Sequence, residues 1–207
     1  MGAESSIEVR DMTPADAPAA VGVLARGMRD NPLHVVAYGE DPERRERIHA
    51  KVIAFVFEKM TAQQPIVALD GETIVAVVGA TPVGRCQPSA SERLGMLPTL
   101  VSFGPRTCLK MMQWLAVWSK HDPEEPHVHL GPVGVDRHLQ GQGIGSVIMA
   151  EHCRRLDADG AVGYLETDKD VNVPFYERFG YVTVGEADVI GVPNWFMRRP
   201  PGGMVQG

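Results

Sequence analysis

The sequence predicts an α/β (α+β) fold, with helices packed on a sheet, and three observations predict it. β-rich runs alternate with amphipathic helical patterns along the chain, so neither element type is confined to one half. The 207 residues, 44% hydrophobic and 22% charged, suffice for one sizeable core. No repeat or linker-like stretch divides them. Residues 7–199 are therefore read as a single domain between short tails, 1–6 and 200–207.

Each element has a local reason. Residues 7–10 (IEVR) alternate apolar and polar and read as a strand. Thr13-Pro14 opens a helix, a hydroxyl cap followed by proline at the first helical position. That helix runs through AAVGVLARGM until Asn31-Pro32, read as its stop. Asp41-Pro42 opens a second helix, with Ile48, Val52, Phe55 and Val56 at helical spacing. Residues 65–69 and 73–80 are β-rich runs joined by the hairpin signal Asp70-Gly71. The order to this point is β-α-α-β-β.

Residues 84–120 break the rhythm. Pro88, Pro98 and Pro105 punctuate short helical pieces, and a helix from Leu109 carries Trp114 and Trp118. An insertion of this length suits a lid or pocket wall better than a linker. After the polar loop 121–126 come a strand (127–135), a glycine-rich turn, a helix (144–159) and a strand (162–167). A short helix ending at Gly180, a strand (181–189) and a last strand near 194–198 complete the domain; residues 200–207 read as a mobile tail.

Composition excludes several function classes. A net charge of −6 argues against nucleic acid as a partner. No apolar run approaches the ~20 residues of a membrane span. Gly2 and Ser6 fit an acylation pattern, but no polybasic second anchor follows, so no membrane attachment is expected. No secretory signal is visible, and the odd set of Cys86, Cys108 and Cys153 suggests a reducing, cytoplasmic setting. His127-x-His129 could hint at zinc, but no further ligand lies at zinc spacing; the pair reads as exposed strand histidines, with no metal expected. Cys153 reads as a small buried hydrophobe, the Phe55/Phe57 and Trp114/Trp118 pairs as core, and ERRER (43–47) as a solvated helix face.

Chemistry concentrates in QGQGIG, where Gly141, Gly143 and Gly145 separate an apolar strand from a helix. Such a turn suits a phosphate, because backbone amides and the helix dipole converge there. A Walker loop would need lysine before Ser146, and a dinucleotide fingerprint would need G-x-G-x-x-G at a first βα turn; neither is present. Gln140 to Gly145 instead has the form Q-x-x-G-x-G. Downstream, Asn172-Val173-Pro174-Phe175-Tyr176-Glu177-Arg178-Phe179-Gly180-Tyr181 has the form N-x-x-F-Y-E-x-x-G-Y. The two together, in this order, resemble the GCN5-related N-acetyltransferases (GNATs) over about residues 7–190.

The resemblance implies a central mixed, mostly antiparallel sheet of about six or seven strands. Its fourth and fifth strands would splay, helices would flank it, and residues 84–120 would form a helical insertion before the fourth strand. It further implies acetyl-CoA as co-substrate, with no metal, and direct transfer to the primary amine of a small molecule. A protein or peptide amine, or a non-catalytic acyl-CoA sensor, is the alternative. Val133, Gly134 and Val135 would hold the pantetheine arm in the gap beside a bulged strand, with Pro132 disturbing the ladder. Gln140, Gly141, Gln142, Gly143, Ile144, Gly145 and Ser146 would cradle the pyrophosphate, and Asn172 would bond the CoA arm or cap its helix. Tyr176 would touch CoA and protonate the departing thiolate, while the Val135 amide would face the thioester oxygen. Glu166, at a strand end, would be the base, with Asp168 as second candidate. The acceptor would sit between the helices of residues 14–60, the insertion and the strand ends near Glu166; a monomer or homodimer is expected.

Overall fold

A computed structural model describes residues 7–60, 62–87 and 89–203. The acylation pattern at Gly2 and Ser6, the punctuating Pro88 and the end of the C-terminal tail lie outside the described residues. Seven strands form one sheet in the order β1-β2-β3-β4-β5-β7-β6. They are β1 (Glu8–Asp11), β2 (Ile66–Asp70), β3 (Thr73–Thr81), β4 (Val128–Val135), β5 (Gly163–Thr167), β6 (Val182–Val189) and β7 (Val192–Arg199). All neighbours are antiparallel except β4 and β5, which run parallel. The hairpin turn expected after Asp70 is present, with Gly71 at φ 60°.

Strand alternation sorts the core. Ile66, Ala68, Ala76 and Val78 point to one face and pack with Ile148, Met149 and Cys153 of α6 (Ile144–Ala158). Val67 and Val77 point to the other, against Val23 and Leu24 of α1 (Ala17–Gly27) and Ile53 of α3 (Pro42–Lys59). A third cluster joins Leu33 and Tyr38 of α2 (Pro32–Tyr38) to Ile48, Leu100, Met111, Trp114 and the β6–β7 hairpin. Cys153 is 1% exposed, as expected of a buried hydrophobe, and burial pushes its thiol up to about 11.

Several local expectations are corrected. Asn31-Pro32 does not only end a helix: α1 stops at Gly27, and Asn31 and Pro32 begin α2, so three helices precede β2. Proline is unfavourable inside a helix yet well suited to its first position, and the second role applies here. The insertion is two helices, α4 (Ala90–Ser102) and α5 (Pro105–His121). Pro98 lies within α4, while Pro105 starts α5. Trp114 is core, edge-to-face with Trp118 at 5.2 Å. Phe57 packs on the α1–α3 cluster as expected, whereas Phe55 faces α4 beside Pro98. The ERRER segment is not wholly solvated. Arg45 is buried, bonded to Asp30 Oδ1 at 2.7 Å and to the carbonyls of Arg29, Gly39 and Glu40. Its guanidinium supplies the donors that the turns on either side of α2 cannot find in a helix. At the other end of the chain, Gly202 and Gly203 are held by Asp157 and Arg199, so the tail begins anchored.

Candidate active site

The site begins where the sheet opens. β4 and β5 pair only at Val128↔Gly163 and His129↔Tyr164, although β4 continues to Val135. On its other edge β4 stays paired with β3, but the register slips between Ala80↔Leu130 and Val78↔Val133. That slip places one extra residue on β4 at Gly131-Pro132, the expected bulge. Gly79 opposite makes room for it: a Cβ there would lie 2.6 Å from Gly131 O. Beyond the bulge, Asp136 N donates to Val75 O. By ladder alternation, Val133 and Val135 then turn their N–H and C=O away from β3 and into the gap.

The glycine turn closes one end of the gap. Gly141 and Gly143 have φ of 80° and 84°, and Gly143 caps α6. A Cβ at either would meet no atom of the protein within 4 Å, so the backbone conformation, and not crowding, requires glycine here. Gly145 has room for ordinary contact with Val135 and Phe175. The amides of Gly141, Gln142, Gly143, Ile144 and Gly145 meet no carbonyl among the described residues, whereas Ser146 N is already bonded to Gly143 O at 2.9 Å. The Gln140 side chain is a latch: its Nε2 donates to Gly27 O at 2.9 Å and Val135 O at 3.1 Å. Gln142 instead reaches back to His138 O. Asp136 fixes α1 beside the turn, accepting from Arg26 Nε at 3.1 Å.

A cleft of about 470 Å³ runs from this turn along the gap. Of the residues read from sequence, Val133, Gly134, Val135, Gln140, Gly141, Gly143, Ile144, Gly145, Ser146, Asn172 and Tyr176 line it; Gln142, Glu166 and Asp168 do not. Tyr176 is 7% exposed, and burial, reinforced by Asp168, raises its hydroxyl above the usual range, so it stays protonated at neutral pH. Asn172 does not cap its helix with its side chain; its Nδ2 donates to Thr167 Oγ1 at 3.3 Å. Sequence reasoning missed Lys169 and Arg178, which put positive charge on the wall of an acidic protein, and Met28 and Asn31 of the α1–α2 turn. Arg178 occupied an unspecified position of the second motif, and Lys169 and the turn carried no motif.

Residues 32–181 match the sequence profile of the acetyltransferase (GNAT) family. The chain belongs to the GNAT family. It is therefore an acyltransferase that uses acetyl-CoA. Solved structures share the fold. A histone acetyltransferase-related protein from Corynebacterium glutamicum is 24% identical, with TM-score 0.72 over 95% of this chain and 97% of that one. A polyamine N-acetyltransferase from Drosophila melanogaster is 16% identical, with TM-score 0.63 over 94% and 100%. A GNAT acetyltransferase from Brucella melitensis, solved with acetyl-CoA, is 20% identical, with TM-score 0.55 over 99% and 94%.

The two base candidates of this GNAT domain part company. Glu166 has only 3% of its side chain exposed and holds His129 Nε2 at 3.0 Å. Asp168 is buried, accepts from Leu33 N at 2.8 Å, and so caps α2 from the end of β5. Burial raises its carboxyl above the usual range, with the Leu33 amide opposing. The histidine pair is also corrected. His127 is 5% exposed and His129 is only partly accessible, because Cys86 and Asp122 fold over them. No helix among the described residues is long and apolar enough to cross a membrane.

Proposed function

We propose that this GNAT enzyme moves the acetyl group of acetyl-CoA to the primary amine of a small molecule, by direct attack within a ternary complex. One observation carries the reading: glycine-turn amides, gap-facing β4 backbone and Tyr176 line a single continuous cleft. The amides and Lys169 would meet the pyrophosphate, and Val133 and Val135 would bond the pantetheine amides as a missing strand would. None of Cys86, Cys108 and Cys153 lines the cleft, which supports direct transfer over an acyl-enzyme.

In the proposed reaction the amine nitrogen forms a bond to the thioester carbon, and the C–S bond breaks. Tyr176 gives its proton to the leaving thiolate, whose own acid has a pKa of about 8.5. The Val135 amide faces the developing oxyanion. The ammonium gives one proton through a water to Asp168, which adjoins the lining residue Lys169 and perturbs Tyr176 electrostatically, and the second proton shed by the acylated nitrogen restores the Tyr176 hydroxyl. Glu166 is the weaker base, since its carboxylate is engaged by His129. The acceptor would enter beside the α1–α2 turn, whose Met28 and Asn31 line the cleft and whose α2 packs against α3 and α5.

The test mixes protein and acetyl-CoA with a panel of diamines, polyamines, amino sugars, lysine peptides and free peptide N-termini, while a thiol reagent reports released CoA. Release driven by a small amine supports the proposal. Release with peptides alone would reassign the acceptor, and tight CoA binding with no release across the panel would make the chain a sensor.

A further inference from the structure

At the start of β4, outside the cleft lining, four potential ligands converge. Cys86 leaves the end of β3, Asp122 caps the end of α5, and His127 and His129 flank the start of β4. Their Sγ, carboxylate and ring-nitrogen atoms all lie within 4.8 Å of one another. Cys86 Sγ is 3.1 Å from Asp122 Oδ1 and 3.0 Å from His129 Nδ1, and His127 Nε2 is 3.2 Å from Asp122 Oδ1. Donor atoms around tetrahedral zinc, at bonds of about 2.0–2.3 Å, stand about 3.3–3.6 Å apart. The three close pairs need a slight expansion, and pairs as wide as 4.8 Å a contraction, to reach that spacing.

The surrounding hydrogen bonds select the tautomers a metal requires. His127 Nδ1 lies 2.9 Å from Glu125 O, which can only accept, so Nδ1 carries the proton and Nε2 the lone pair. That Nε2 is buried and makes no hydrogen bond, despite its nearness to Asp122. His129 Nε2 faces the Glu166 carboxylate at 3.0 Å, which leaves Nδ1 to point at the cluster. A carbonyl behind one imidazole and a carboxylate behind the other is the outer shell that orients histidines on zinc. A buried nitrogen with no hydrogen bond, 3.2 Å from a carboxylate and beside a thiol, has a lone pair that a metal would satisfy.

We propose that Cys86, Asp122, His127 and His129 form a structural zinc site, with Glu166 as a positioning residue behind His129. Four protein ligands leave no open position, so the metal is a staple and not a catalyst. Mixed sulfur, nitrogen and oxygen donors in a compact tetrahedron suit zinc over magnesium or calcium. On loading, the Cys86 S–H proton and any proton on His129 Nδ1 are released to buffer as their atoms bond the metal. The staple would tie both ends of the 84–120 insertion to β4 just before its bulge. This also gives Glu166 a role that does not compete with Asp168.

The test uses untagged full-length protein equilibrated with zinc, freed of excess metal, and analysed by elemental mass spectrometry. One zinc per chain is expected, retained by Cys108→Ala and lost from Cys86→Ala and His127→Ala. Glu166→Gln should keep the site but weaken it by about 10–100-fold in a chelator competition. Because a variant could misfold, cobalt(II) on the wild-type protein is the second readout. Intense tetrahedral d–d bands with a thiolate charge-transfer band are expected. Wild-type protein that holds no more zinc than Cys86→Ala, or cobalt spectra without thiolate ligation, would overturn the proposal.

Discussion

Gly27, the last residue of α1, allows a sharp test of how the cleft is built. Helix propensity alone says that Gly27→Ala should stabilise the protein by up to about 1 kcal/mol. The structure says the opposite. An added Cβ would sit 2.3 Å from Val135 O and 3.2 Å from Val135 C. An ordinary carbon–oxygen contact needs about 3.3 Å, so α1 and β4 must separate by about 1 Å. The obstacle is backbone and cannot swing aside. Overpacking of this kind costs about 1–3 kcal/mol, leaving a net loss of up to about 2 kcal/mol after the propensity gain. For a chain of this size that lowers Tm by up to about 8 °C. Separation would also break the Gln140 latch between Gly27 O and Val135 O, so KM for acetyl-CoA should rise. Gly22→Ala is the control in the same helix. Its Cβ would meet only the Arg26 guanidinium at 3.0 Å, the end of a flexible side chain, so Tm should hold or rise. Calorimetry of both variants decides the matter. A Gly27→Ala protein as stable as Gly22→Ala would refute the close-approach argument.

Tyr176→Phe should lower kcat by about 10²–10⁴-fold while leaving KM for acetyl-CoA nearly unchanged; an unaltered kcat removes the general acid. Asp168→Asn should lower kcat similarly, and Glu166→Gln should not, as steady-state assays with the best amine will tell; the reverse order would return the base to Glu166. Arg45→Lys is not conservative, because a lysine cannot serve Asp30 and three carbonyls at once. A loss of about 2–3 kcal/mol in urea melts is expected, and a loss within noise would contradict the buried network. Acid should unfold the protein early. Burial lowers His34 and His152 from 6.5 to about 4, and His49 well below 6.5, so all three fold neutral. Their contribution is complete above pH 6.5 and is lost as pH falls, for His34 and His152 through about 4, at about 3 kcal/mol for each of these two. Urea midpoints that stay flat between pH 7 and pH 5 would show these histidines to be solvated.

The sequence by itself determined what local spacing encodes. Strands at 7–10, 65–69 and 73–80, the cap at Asp41 and the helix after Gly143 were legible because alternation, capping and positive φ act within a few residues. Much of the cleft's lining was legible for the same reason, since the glycine turn and the short second-motif helix both contribute to it. Tertiary structure alone decided the rest. Asn31-Pro32 reads equally as a stop or a start, and Asp168, far along the chain, settles it by capping α2. Arg45 looked solvated until the turns around α2 folded back on it. Glu166 reads from sequence as a strand-end carboxylate, and only the fold shows that β4, its parallel neighbour, sets His129 against it. His127-x-His129 looked like an incomplete ligand set because its completing atoms, on Cys86 and Asp122, arrive from the two ends of an insertion. A sequence fixes neighbours at fixed offsets, whereas sheet order and helix packing choose which distant side chains share a few ångströms.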